Sequence, residues 1–113
     1  MSDQGMPIND YQERASETAN YPREHALAYI MLGLNGEAGE VADKYKKVIR
    51  DNDGLMSSEK KLEIAKELGD VLWYVAMGAR ELGFDLEFIA KQNIDKLQSR
   101  KERGKIKGSG DNR

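Results

Sequence analysis

The sequence predicts an all-α chain, a bundle of about four helices, and three observations predict it. Apolar residues recur at helical spacing over three long stretches. Clusters of turn-forming residues separate those stretches. No run alternates apolar and polar residues in the way a half-buried strand would.

The elements follow in order. Residues 1–7 read as a lead-in. A short first helix is expected over about 8–19, broken by Asn20-Tyr21-Pro22, because the residue before a proline is pushed out of the helical region. The second helix is expected over about 24–50, and Asp51-Asn52-Asp53-Gly54 ends it as a turn cluster. Ser57 or Ser58 N-caps a third helix that runs to about Leu82. Gly83 then supplies a left-handed terminator. Asp85 caps a fourth helix to about Arg103. Gly104, Gly108 and Gly110, with charges between them, predict a mobile tail. The organisation expected is therefore one helical domain over 1–104 and a tail over 105–113.

Composition narrows the function classes. At 113 residues, one domain is expected. A hydrophobic fraction of 39% and a charged fraction of 34% suit a small helical protein with a solvated outside. Net charge is −2 and the isoelectric point about 5.5, so no global basic field draws nucleic acid, and no nucleic-acid partner is expected. The absence of cysteine excludes disulfides, thiolate zinc sites and cysteine nucleophiles. It suits a reducing compartment, and a cytoplasmic location is expected. No apolar run approaches the ~20 residues that span a bilayer, and MSDQGMPIND lacks a basic-plus-apolar signal pattern, so no membrane partner is expected.

Four carboxylates stand out, in two pairs spaced i, i+3: Glu37 and Glu40, then Glu67 and Asp70. That spacing puts both members of a pair on one face of a helix. Two such helices packed together could aim four oxygen ligands at one point, the ligand type that hard cations such as Mg²⁺ require. On a helical wheel, Leu27, Ile30, Met31, Leu34, Ala38, Val41, Tyr45 and Val48 form the apolar stripe of the second helix. Glu37 borders that stripe and Glu40 lies just beyond it. In the third helix, Ile64, Leu68, Val71, Leu72, Val75, Ala79 and Leu82 form the stripe, with Glu63, Glu67, Asp70 and Tyr74 in a strip beside it. The acids thus sit at the edge of a core. Tyr74 shares their strip and is a candidate site-lining aromatic.

A solvated acidic face is the ordinary alternative. Glu40 has Lys44 at i+4 and suits it. Glu37 and Glu67 have Val41 and Val71 there and do not. Spacing alone leaves a metal site and a plain acidic face both open. Gly33, Gly36 and Gly39 inside the second helix, and Gly69 inside the third, each cost about 1 kcal/mol relative to Ala. Close helix approach, or room for a ligand, would account for them. In the fourth helix, Leu86, Ile89, Ala90 and Leu97 define the stripe, Asn93 falls in its middle, and Lys96 and Arg100 flank it. An amide so placed needs hydrogen-bond partners. It is either a satisfied amide in a helix interface or a ligand-binding group.

The order Glu-x-x-Glu, a gap of about 26 residues, then Glu-x-x-Asp, within GLNGEAGEVADKYKK and ELGDVLWYV, resembles the MazG-like all-α nucleoside triphosphate pyrophosphohydrolases. The resemblance covers about residues 8–104, and NIDKLQSR in the fourth helix is similar to the family's substrate-reaching segment. It implies hydrolysis of a (deoxy)nucleoside triphosphate between the α and β phosphates, to monophosphate and pyrophosphate. It implies Mg²⁺, with Mn²⁺ as a substitute, held by Glu37, Glu40, Glu67 and Asp70. A triphosphate would be repelled by four carboxylates unless cations neutralised both parties and bridged them. Glu37 and Glu40 are the two candidate proton acceptors for the attacking water. Asn93 and Lys96 are implied substrate contacts, with Tyr74 and Arg100 as further substrate-binding candidates. Lys101 and Arg103 rank lower, since a basic helix end also suits the helix dipole.

Other signals point elsewhere and are weaker. His25 is the lone histidine; a ferritin-like di-iron site would need Glu-x-x-His on two helices, and no such motif is present. A histidine phosphotransfer bundle would use a single histidine, but a lone histidine is more often incidental. An EF-hand read onto 51–54 would need its first ligand at Ile49. A non-catalytic helical nucleotide-binding or regulatory module with the same fold is the alternative to an enzyme. Helices of about 26 residues extend roughly 39 Å, long for one small globule. A homodimer or homotetramer is expected, and the family resemblance implies a site assembled near subunit contacts.

Overall fold

Helices α1 (Ile8–Ser16), α2 (Ala26–Asn52), α3 (Ser58–Glu81) and α4 (Leu86–Glu102) build the chain, with one 3-10 turn at Arg23–His25 before α2. The structure is a computed structural model that describes residues 5–104, and no strand occurs among them. The tail expected over 105–113 lies outside the described residues.

Local chemistry sets the boundaries. Ser57, not Ser58, is the N-cap of α3, its Oγ accepting from the Lys60 N–H at 3.1 Å. Asp85 caps α4 by accepting from the Phe88 N–H at 2.8 Å. Asp53 (φ 53°) and Gly54 (φ 78°) turn left-handed to end α2, and the Gly54 N–H donates to the Val48 carbonyl. Gly83 (φ 87°) ends α3. α1 stops at Ser16, three residues before its expected end. Ser16 Oγ donates to the Glu13 carbonyl, and Thr18 Oγ1 to the Ala15 carbonyl, so hydroxyls compete with the helical ladder there. The Trp73 indole N–H then donates both to the Ala15 carbonyl (3.1 Å) and to Thr18 Oγ1 (3.0 Å). Unwinding the end of α1 is what lets Thr18 meet Trp73.

α2 and α3 form a long antiparallel hairpin through the short turn at 53–57, and theirs is the main helix contact. The core occupies one end of it. Ala26 and Ile30 of α2 meet Ala76 and Met77 of α3, with Ala15, Tyr21 and Leu86 closing the cluster. Ile30 and Met77 are fully buried. Each contributes about 1.5–3 kcal/mol by leaving water.

α1 fastens this end. Buried Gln12 donates from Nε2 to the Ala76 carbonyl (3.1 Å) and the Phe84 carbonyl (3.2 Å), and its Oε1 accepts from the Leu86 N–H (3.0 Å). Asn9 Oδ1 accepts from the Glu87 N–H at 2.9 Å. With Asp85, three side chains satisfy the first turn of α4. Glu81 ties the segment before α2 to the end of α3. It accepts from the Tyr21 hydroxyl at 2.7 Å and from both Arg23 terminal nitrogens at 2.9 and 3.0 Å.

The other end of the hairpin is open. There Val48 is buried, but Tyr45, Leu68 and Leu72 of the expected stripes are exposed, and beside the core Leu27, Met31 and Leu82 are exposed as well. The stripes are wider than the partners this single chain offers. Its radius of gyration is 17.1 Å, against about 13 Å for a compact domain of this size.

Candidate metal centre

The carboxylates lie midway along the hairpin, where the core gives way to the open arm. Periodicity puts Tyr29, Gly33 and Glu37 on one face of α2, and Glu67, Asp70 and Tyr74 on the facing strip of α3. Glu37, Glu67 and Asp70 each offer an oxygen, and these oxygens lie within 4.8 Å of one another. Glu37 and Glu67 are half-buried and Asp70 is exposed. Glu40 is exposed one turn further along α2 and stands outside this group of three.

The electrostatics record the crowding. The Glu37 carboxyl is pushed above its ordinary range, first by desolvation and then by the negative charges of Asp70 and Glu67. Its contact with the Glu67 carboxyl and the charge of Glu40 add to the rise. Three convergent oxygen donors, with no nitrogen or sulfur among them, fit a hard divalent cation. Such a cation would relieve the repulsion that Glu37 feels.

Aromatic groups wall one side. The Tyr74 ring meets the Trp73 ring edge-on, with centroids 5.0 Å apart. A Cβ at Gly33 would run into the Tyr74 ring, so this glycine makes room for it. Gly36, Gly39 and Gly69 have nothing within 4 Å of where a Cβ would stand, so close approach within this chain does not explain them. The Tyr74 phenol is raised by burial, then by the nearby Tyr29 hydroxyl and by Glu37. Tyr11 of α1 is raised by burial and, second, by the charge of Asp70. The field of the cluster thus reaches α1.

The remaining candidates are placed apart. Asn93 and Lys96 line a groove of about 400 Å³ on α4, with Ile89 and Gln92. α4 packs on α1 and α3 and not on α2, and none of the four carboxylates lines this groove. Asn93 is exposed rather than enclosed in a helix interface. Ile94 and Leu97 beside it are exposed too, since no helix among the described residues covers that face of α4. Arg100 is buried, 4% exposed. A basic residue that reaches the cluster is Lys44, whose Nζ lies 3.8 Å from Glu67 Oε1. Its i+4 spacing pointed to Glu40 instead. Tyr29, eight residues before Glu37 on the same face, is the other neighbour that spacing could have found.

The sequence model of the MazG nucleotide pyrophosphohydrolase domain matches residues 26–104, the whole of α2, α3 and α4. The chain belongs to this family. The MazG match begins where α2 begins, so α1 and its Gln12 clamp lie outside it. The chain is also 48% identical over 114 residues to the Gene 37 protein of Mycobacterium phage L5, across 96% of this chain and 100% of that protein. No solved structure matches it. Among the described residues, no helix is long and apolar enough to cross a membrane.

Proposed function

We propose that this MazG-family protein is a metal-dependent pyrophosphohydrolase that converts a (deoxy)nucleoside triphosphate to monophosphate and pyrophosphate in the cytoplasm. The observation that carries this reading is the convergence of Glu37, Glu67 and Asp70 in a chain of that family. These three carboxylates would hold Mg²⁺ or Mn²⁺, with Glu40 completing the set from the next turn. When bound, the metal supplies charge neutralisation for the phosphates and acidity for a coordinated water. Glu37 or Glu40 would accept the proton of the attacking water. Tyr74 bounds the site on its aromatic side, and no covalent nucleophile is required.

Asn93, Lys96 and Arg100 are assigned to the nucleotide, with Lys96 offsetting charge on the phosphates. Because α4 does not pack on α2 in one chain, this assignment goes with a homodimer or homotetramer. The exposed apolar residues support assembly: Leu32 is 75% exposed, Leu55 70% and Leu62 66%.

Separating the products of a Mg²⁺-supplied panel of nucleoside triphosphates tests the reading. Monophosphate and pyrophosphate in equal amounts are expected. Diphosphate and inorganic phosphate would overturn it. Nucleotide binding without turnover would make the protein a non-catalytic module.

A further inference from the structure

We propose that Lys44 is the built-in counter-charge of the acidic cluster, a positioning residue that holds Glu67 in the metal-free protein and yields it to an arriving divalent cation. The inference rests on the metal-binding reading above and adds a residue to it.

Lys44 is seven residues after Glu37, so it projects from the same face of α2, two turns on. A lysine at that position has an intrahelical partner at hand in Glu40, four residues before it. It does not pair there. Its Nζ crosses to α3 and reaches Glu67 Oε1 at 3.8 Å. Both side chains are withdrawn from water, 31% and 18% exposed, whereas Glu40 is exposed. The destination is the same carboxylate whose oxygens lie within 4.8 Å of those of Glu37 and Asp70. Three like charges at that separation repel, and an ammonium at the rim offsets part of the repulsion.

The pair is long. At 3.8 Å it lies beyond hydrogen-bond distance, so it holds Glu67 by charge and not by a directional bond. Such a contact is readily given up when a doubly charged cation takes the carboxylate. The ammonium and the cation then repel each other, so the lysine lowers metal affinity while it keeps the empty cluster together. The direction is the reverse of that expected for a residue that merely braces the ligands.

Titration calorimetry with Mn²⁺ alone tests this on the full-length protein, comparing wild type with Lys44→Met, Lys44→Gln and Lys44→Arg. Removing one positive charge at this range should tighten Mn²⁺ binding about three- to tenfold in both neutral variants. Lys44→Arg should stay near wild type, and the gain should shrink in 0.5 M salt as the charge is screened. The melting temperature of the metal-free neutral variants should fall, and saturating Mn²⁺ should restore it. Unchanged or weaker Mn²⁺ binding in folded Lys44→Met and Lys44→Gln, with wild type binding normally, would overturn the role of Lys44 alone. A folded wild type that binds no Mn²⁺ would overturn the metal reading with it.

Discussion

Gly33→Ala isolates the packing that sets one wall of the site. In a helix interior the exchange alone gains about 1 kcal/mol, because alanine is the better helix former. At Gly33 the added methyl meets the end of the Tyr74 ring, and the ring must swing away. The ring is half-buried and held edge-on to Trp73. Losing that aromatic pair costs about 0.5–1.5 kcal/mol. Forcing a methyl into a filled contact costs a further ~1–3 kcal/mol. The net expectation is destabilisation of about 2 kcal/mol. Gly36→Ala, Gly39→Ala and Gly69→Ala have open space and should each be stabilised by about 0.5–1 kcal/mol. Urea denaturation at one fixed protein concentration measures all four. Adding Tyr74→Ala to Gly33→Ala should remove most of the coupling between the two sites, as a double-mutant cycle would show. If Gly33→Ala proves as stable as Gly36→Ala, the Tyr74 ring is not seated over Gly33 and the aromatic wall is wrongly described.

Gln12→Met keeps the side-chain length but removes three hydrogen bonds to backbone groups, of Ala76 in α3 and of Phe84 and Leu86 at the start of α4. At about 1 kcal/mol per bond the loss is ~2–4 kcal/mol, read by thermal melting, and it should also loosen the start of α4. Glu81 titrates in the opposite sense to Glu37. Its hydrogen bonds from Arg23 and Tyr21 hold its carboxyl at about 2, below the ordinary 4.5. Its contribution to stability is therefore full above pH 4.5 and is lost as pH falls from 4.5 toward about 2. Melting curves of wild type and Glu81→Gln should converge across that window. Glu37 is raised instead, so in the metal-free protein its penalty grows as pH rises above 4.5.

The helices were legible because local chemistry decides them. Ser57, Asp85 and Gly83 each act through atoms within a few residues, and each lies where its type predicts a cap or a stop. The edge position of the carboxylates was legible for the same reason, since spacing and an apolar stripe are both properties of one helix. What depends on a neighbour was not. Gly33 reads like Gly36 in the sequence, and only the Tyr74 ring on another helix separates them. Lys44 has a good partner in its own helix and takes another across the hairpin. Asn93 marks a break in a stripe, but a stripe does not say whether anything covers it, and among the described residues Asn93 stays exposed. Gln12 bonds backbone groups 64 to 74 residues away, a role no local pattern could announce.

The central claim is that Glu37, Glu67 and Asp70 act together on one divalent cation. Electron paramagnetic resonance of free Mn²⁺, titrated with wild type, Glu67→Ala and Asp70→Asn, tests it most directly. Wild type should deplete the free Mn²⁺ signal, either substitution should weaken binding at least tenfold, and both variants should remain helical. Equal depletion by wild type and by a folded Glu67→Ala would contradict it, because the cation would then be held somewhere other than the cluster between α2 and α3.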